Sequence, residues 1–147
     1  MPFGIRNNEL TNNTNGVSLT TAADALIDVD IFQNEISNNT LDGIVTTENF
    51  NTISDSASVS GDITENEIVN NGANGINLGA TLNALLVADN RINSNGLFGI
   101  DIPSAGSATF LQNEIIGNGT NAGARGTSGG INIDGPCLLY TSPSPRD

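Results

Sequence analysis

The chain is 147 residues long, enough for one domain, and carries 16 Asp and Glu against four Arg, with no Lys and no His, for a formal net charge of −12. So acidic a chain lacks the clustered Lys and Arg that nucleic acid demands, is repelled by anionic membrane surfaces, and would meet acidic polysaccharides only through bridging cations. No apolar run approaches the roughly 20 residues of a membrane-spanning helix, and the content of 23 Asn and 17 Gly, which alone would suggest disorder, is offset by regularly placed Ile and Val.

In chain order, residues 3–19 read as a first coil, with Asn8-Glu9-Leu10, Asn13 and then Gly16-Val17-Ser18-Leu19. Residues 20–25 read as a small polar turn. Residues 26–31 alternate as a strand, with Ile27, Val29 and Ile31 on one face and Asp28 and Asp30 on the other. Asn34-Glu35-Ile36, Asn39 and Gly43-Ile44 repeat the first motif. Residues 46–57 are the most irregular connection and read as a protruding loop carrying Glu48, Phe50 and Asp55. Residues 59–63, 82–87 and 108–111 are the equivalents of strand 26–31 in later coils. The 82–87 stretch has helix propensity, but its register with the neighbouring coils favours strand. A Gly/Thr/Ser-rich insertion at 120–129 delays the last Gly130-Ile131-Asn132-Ile133.

The unit Asn-x-Ile/Leu-x-x-Asn thus occurs five times, with steps of 26, 32, 24 and 23 residues between first Asn positions. Its apolar runs are too short for helices, and a unit of this length with period-2 alternation suits one coil of a solenoid. A single coil cannot bury its few aliphatic side chains; stacked at roughly 4.8 Å per coil, it can. Three interior columns follow. Ile31, Ile63, Val87 and Phe110 form one, Leu10, Ile36, Ile68, Ile92 and Ile115 a second, and Val17, Ile44, Ile76, Ile100 and Ile131 a third. The recurrent Asn suits sharp turns, because it tolerates left-handed backbone angles. Stacked amides can also donate to one another, and Asn39, Asn71, Asn95 and Asn118 are expected to form an inward ladder.

The Asn-x-Ile-x-x-Asn and Gly-Ile motifs resemble those of right-handed parallel β-helix repeat proteins of the pectin-lyase-like fold, over residues 5–133. The resemblance implies an all-β, right-handed parallel β-helix of about five coils, cut from a longer solenoid at both ends. It implies no single activity, because polysaccharide lyases and hydrolases, phage tailspikes and surface adhesins share this fold.

Residues 137–147 break the pattern. They hold the only Cys, the only Tyr and two of five Pro. Cys137-Leu138-Leu139-Tyr140-Thr141-Ser142 resembles the translation of a transposon adaptor used in sequencing libraries. The expected division is therefore a β-helix over 1–136 and a non-native tail over 137–147, to be excluded from fold reasoning.

Residues that could carry chemistry lie in two outer columns: Glu9, Glu35, Glu67, Arg91 and Glu114, and beside them Asn7, Gln33, Glu65, Asp89 and Gln112. Like charges on adjacent strands repel. A hard cation such as Ca²⁺ bound among Glu35, Glu65, Glu67 and Asp89 would relieve this; a solvated acidic face with Arg91 as a local ion pair is the simpler reading. Asp28 and Asp30, roughly 7 Å apart on one strand face, suggest a glycosidase pair, but any acidic solenoid offers such pairs. The Asn-Thr-Asp, Asp-Asp, Gly-His-Gly and Arg-Ile-Lys motifs of polygalacturonase-like members are absent. With no His and no Cys before residue 137, copper lacks soft ligands. Phe110 is expected in the core; Phe32, Phe50 and Phe98 are scattered candidates for sugar stacking. The expected function is a non-catalytic secreted or surface β-helix, acting as a rigid scaffold or as a surface for carbohydrate or another protein, without nucleic acid or membrane insertion. The competing expectation is a piece of a polysaccharide lyase or glycoside hydrolase whose active site lies elsewhere.

Overall fold

A computed structural model describes residues 3–22, 24–49, 57–121, 129–134 and 137–141. Sixteen strands fall into three parallel sheets. The first holds β1 (Phe3–Arg6), β4 (Leu26–Phe32), β7 (Ser58–Thr64), β10 (Leu82–Ala88), β13 (Gly106–Leu111) and β16 (Cys137–Thr141), in that order. The second holds β2 (Glu9–Thr11), β5 (Glu35–Ser37), β8 (Glu67–Val69), β11 (Arg91–Asn93) and β14 (Glu114–Ile116). The third holds β3 (Val17–Ala22), β6 (Ile44–Asn49), β9 (Ile76–Leu78), β12 (Phe98–Ile102) and β15 (Gly129–Ile133). Each coil contributes one strand to each sheet, so the chain is a parallel β-helix of five coils, with β16 extending the first sheet.

The interior is the set of columns read from the repeat. Ile31, Ile63 and Val87 are fully buried, as are Ile36, Ile68 and Ile92, and Ile44, Ile76 and Ile100. Phe110 closes the first column at 7% exposure. Exact alignment follows from the pairing: Ile31 is opposite Ile63, Ile36 opposite Ile68, and Ile44 opposite Ile76. Burying a Val or Ile side chain contributes about 1.5–3 kcal/mol, and only stacking makes it possible here. At the fifth coil the columns open out. Ile131 and Ile133 are exposed, and a pocket of about 200 Å³ is lined by Phe110, Ile115 and Ile131 among others.

Two local expectations are corrected. The stretch 20–25 is not all turn: β3 continues through Ala22, with Thr21 buried and its hydroxyl donating to the Thr47 carbonyl at 3.3 Å. Likewise β6 runs through Asn49, and Glu48 accepts a hydrogen bond from the Thr81 N–H rather than riding on a loop. Phe50 and Asp55 lie outside the described residues. Residues 137–141 of the C-terminal stretch form β16 and pair with β13, Gly106 opposite Cys137 and Phe110 opposite Thr141. A five-residue extended segment can add to any open sheet edge through its backbone alone, so this pairing is independent of where the sequence came from.

The 82–87 stretch is a strand, as its register suggested. Its helix-like spacing has a cause: Leu82, Leu85 and Val87 all face inward because the register shifts between Leu82 and Leu85, where Ala84 adopts φ 53°.

Candidate binding face

Behind the outer faces stand the turns that position them. Between the second and third sheets each coil turns through an Asn whose side chain points inward. Asn39 Nδ2 donates to Asn71 Oδ1 at 2.9 Å, Asn71 Nδ2 to Asn95 Oδ1 at 3.0 Å, and Asn95 Nδ2 to Asn118 Oδ1 at 2.9 Å. Each Nδ2 also donates backward, to a carbonyl of the preceding coil: Asn71 to Ile36, Asn95 to Ile68, Asn118 to Ile92. Asn71 and Asn95 are thus tied to the coil on either side.

A second ladder, not singled out from the sequence, runs between the first and second sheets. Asn8, Asn34, Asn66, Asn90 and Asn113 are joined Nδ2 to Oδ1 at 3.0–3.1 Å. The signal was available: Asn occupies that position in all five units. A third column is different. Asn15 Oδ1 accepts from Asp42 N–H at 3.1 Å, Asp42 Oδ1 from Asn74 N–H at 2.8 Å, and Asn74 Oδ1 from Phe98 N–H at 3.0 Å. Only acceptors are used there, so a carboxylate serves as well as an amide. Among the described residues no buried side-chain nitrogen or oxygen lacks a partner.

Left-handed backbone angles are one residue away from where the sequence reading put them. The ladder Asn residues do not carry them. Instead Asn7, Gln33, Glu65, Asp89 and Gln112 have φ of 51–55°, as do Asn12, Asn38, Asn70 and Ser94 at 55–58°. The residue before each ladder Asn makes the corner and points out; the ladder Asn then turns in.

The polar outer columns therefore sit on rigid corners and on the second sheet. Glu9, Glu35, Glu67, Arg91 and Glu114 lie opposite one another across successive strands. Arg91 pairs with Glu67 and, at 3.6 Å, with Glu114. Gln33 Nε2 donates to Glu65 Oε2 at 2.8 Å, and Asn93 Nδ2 to Glu114 Oε1 at 3.1 Å. Exposure of the Arg91 and Glu67 side chains, 56% and 47%, keeps each pair in the range of about 0–1 kcal/mol.

Glu35, Glu65, Glu67 and Asp89 are not gathered into a metal centre. Glu35 and Glu67 lie on strands, Glu65 and Asp89 on corners, and Arg91 and Gln33 already engage two of them. Among the described residues no group of three or more His, Cys, Asp or Glu is placed to hold a metal ion. Asp30, half of the carboxylate pair noted on strand β4, forms an ion pair with Arg6. Phe32 and Phe98 are half-buried, on the first and third sheets.

A family model described as a right handed beta helix region matches residues 3–137. No curated protein and no solved structure matches the chain.

Proposed function

The chain belongs to the family of right-handed β-helix regions, and on that premise we propose that it is a rigid, non-catalytic scaffold, secreted or displayed at a cell surface. Its outer faces then present a binding surface to carbohydrate or to another protein. The observation that carries this reading is the pair of Asn ladders, one joined side chain to side chain through all five coils and the other through the second to the fifth. Such internal ties favour a stiff rod, because bending would stretch bonds between buried amides. The acidic column Glu9, Glu35 and Glu67 selects partners: a neutral glycan or a basic protein patch fits it, and a polyanion does not.

The test is a panel of neutral and acidic polysaccharides, assayed for binding by a labelled-protein array and for turnover by release of reducing ends or unsaturated product. Binding to neutral chains without turnover is expected. Turnover of any of them would replace this reading by that of a polysaccharide lyase or hydrolase.

A further inference from the structure

The sequence holds five Asn-Gly steps, at Asn15, Asn71, Asn74, Asn95 and Asn118. At such a step the glycine nitrogen, flanked by no side chain, can attack the asparagine Cγ. A C–N bond forms and the amide nitrogen leaves as ammonia. Water then opens the resulting succinimide to aspartate or isoaspartate. The attack requires the glycine N–H and the asparagine side chain to come free of their hydrogen bonds.

All five glycine N–H groups are hydrogen-bonded, Gly16 to Asp42 O at 3.2 Å and Gly119 to Asn95 O at 2.9 Å among them. The steps therefore differ in how firmly the Asn side chain is held, and three are locked on both counts. Gly72 N–H donates to Asn39 O at 2.9 Å, Gly75 N–H to Phe98 O at 2.9 Å, and Gly96 N–H to Asn71 O at 2.8 Å. Asn71, Asn74 and Asn95 are at most 5% exposed, with coils on both sides. The other two steps lie in the first and fifth coils, where Asn15 and Asn118 are half-buried. Asn118 is held from one side: it accepts from Asn95 and donates to Ile92 O at 2.9 Å, and among the described residues no further ladder Asn stacks beyond it. The adjacent Ile116 is 61% exposed.

We propose that Asn118–Gly119 is a spontaneous deamidation site and that its conversion loosens the fifth coil. The consequence depends on which atom each column uses. Asn118 donates through Nδ2, so a carboxylate there sets an oxygen against the Ile92 carbonyl oxygen. All ten ladder positions hold Asn, and none holds Asp. Asn15 only accepts, and its column already contains a carboxylate at Asp42. Conversion of Asn15 to aspartate therefore leaves the stack intact.

The experiment is peptide mapping by mass spectrometry of the whole folded chain held at mildly alkaline pH, alongside the same chain in denaturant. In denaturant all five steps react at comparable rates. In the folded chain Asn118 is expected to convert at least about tenfold faster than Asn71, Asn74 or Asn95, because its half-buried side chain is held by one neighbouring coil and comes free at lower cost than side chains at most 5% exposed. In parallel, Asn118→Asp should lower hydrogen-exchange protection in β14, and Asn15→Asp should not lower it in β2. Equal rates at Asn118 and Asn95 in the folded chain, or unchanged protection of β14 in Asn118→Asp, would overturn the proposal.

Discussion

Asn95 Oδ1 accepts two hydrogen bonds from Asn71, one from its backbone N–H and one from its side-chain Nδ2, each at 3.0 Å. The same two-pronged contact joins Asn39 to Asn71 and Asn95 to Asn118. It gives the ladder a direction: Asn39, Asn71 and Asn95 each donate forward along the helix axis and are received by the next coil.

Replacing Asn71 by Ala removes both hydrogen bonds from Asn39 and those its own Nδ2 makes to Asn95 Oδ1 and the Ile36 carbonyl. With each buried group costing about 1–3 kcal/mol, a loss of about 3 kcal/mol or more is expected. Asn74→Ala removes one acceptor, for the Phe98 N–H, and should cost less. Urea unfolding of the two variants measures the difference; equal losses would mean that the ladder contributes no more than an ordinary turn.

How much of this was legible beforehand depends on the residue. Asn71 and Asn95 could be named as ladder members from spacing alone, because the repeat fixes which residues stack. The corner at Glu65 could not be placed from composition. Glu has no preference for positive φ, and only the closure of the coil forces it there.

Gly75 has a reason that sequence could not supply. A Cβ there would lie 2.5 Å from Ile92 Cγ2, 2.6 Å from the Gly99 carbonyl oxygen and 2.9 Å from Asn95 Nδ2. Gly16, Gly43 and Gly99 meet the same three kinds of atom in the next coil. Gly75→Ala should destabilise by about 3 kcal/mol, the upper end of what overpacking costs. Gly130→Ala, where a Cβ meets nothing within 4 Å, should change stability by less than about 0.5 kcal/mol. Thermal melts of both variants check the contrast.

Gln112 occupies a corner with φ 51° on an exposed surface. Asn tolerates that conformation better, so Gln112→Asn is expected to stabilise by about 0.5–1 kcal/mol. A midpoint shift in urea unfolding toward higher denaturant is the readout, and a shift the other way would sink the strain argument.

Arg91→Gln leaves Glu67 and Glu114 without a counter-charge. The expected loss is up to about 1 kcal/mol at low ionic strength, and it should shrink toward zero in molar salt, where the screening length falls to about 3 Å. A loss that persists at high salt would point to packing of the Arg91 stem instead.

Because Glu35, Glu65, Glu67 and Asp89 do not converge, melting temperatures with Ca²⁺ and with chelator should coincide. An upward shift with Ca²⁺ that disappears in Glu67→Gln would restore a cation to this face.

By itself the sequence determined the stacking: which Ile faces in, which Asn lies above which, and hence the architecture. Period-2 alternation and a repeat of near-constant length leave one way to bury short aliphatic runs. The tertiary structure alone decided the rest. It placed the positive φ one residue before each ladder Asn, made a second ladder of Asn8 to Asn113, and left Asp42 in a column that needs only acceptors. It also kept the acidic columns from converging. Those outcomes depend on where side chains sit relative to the coils above and below, and no single coil contains that information.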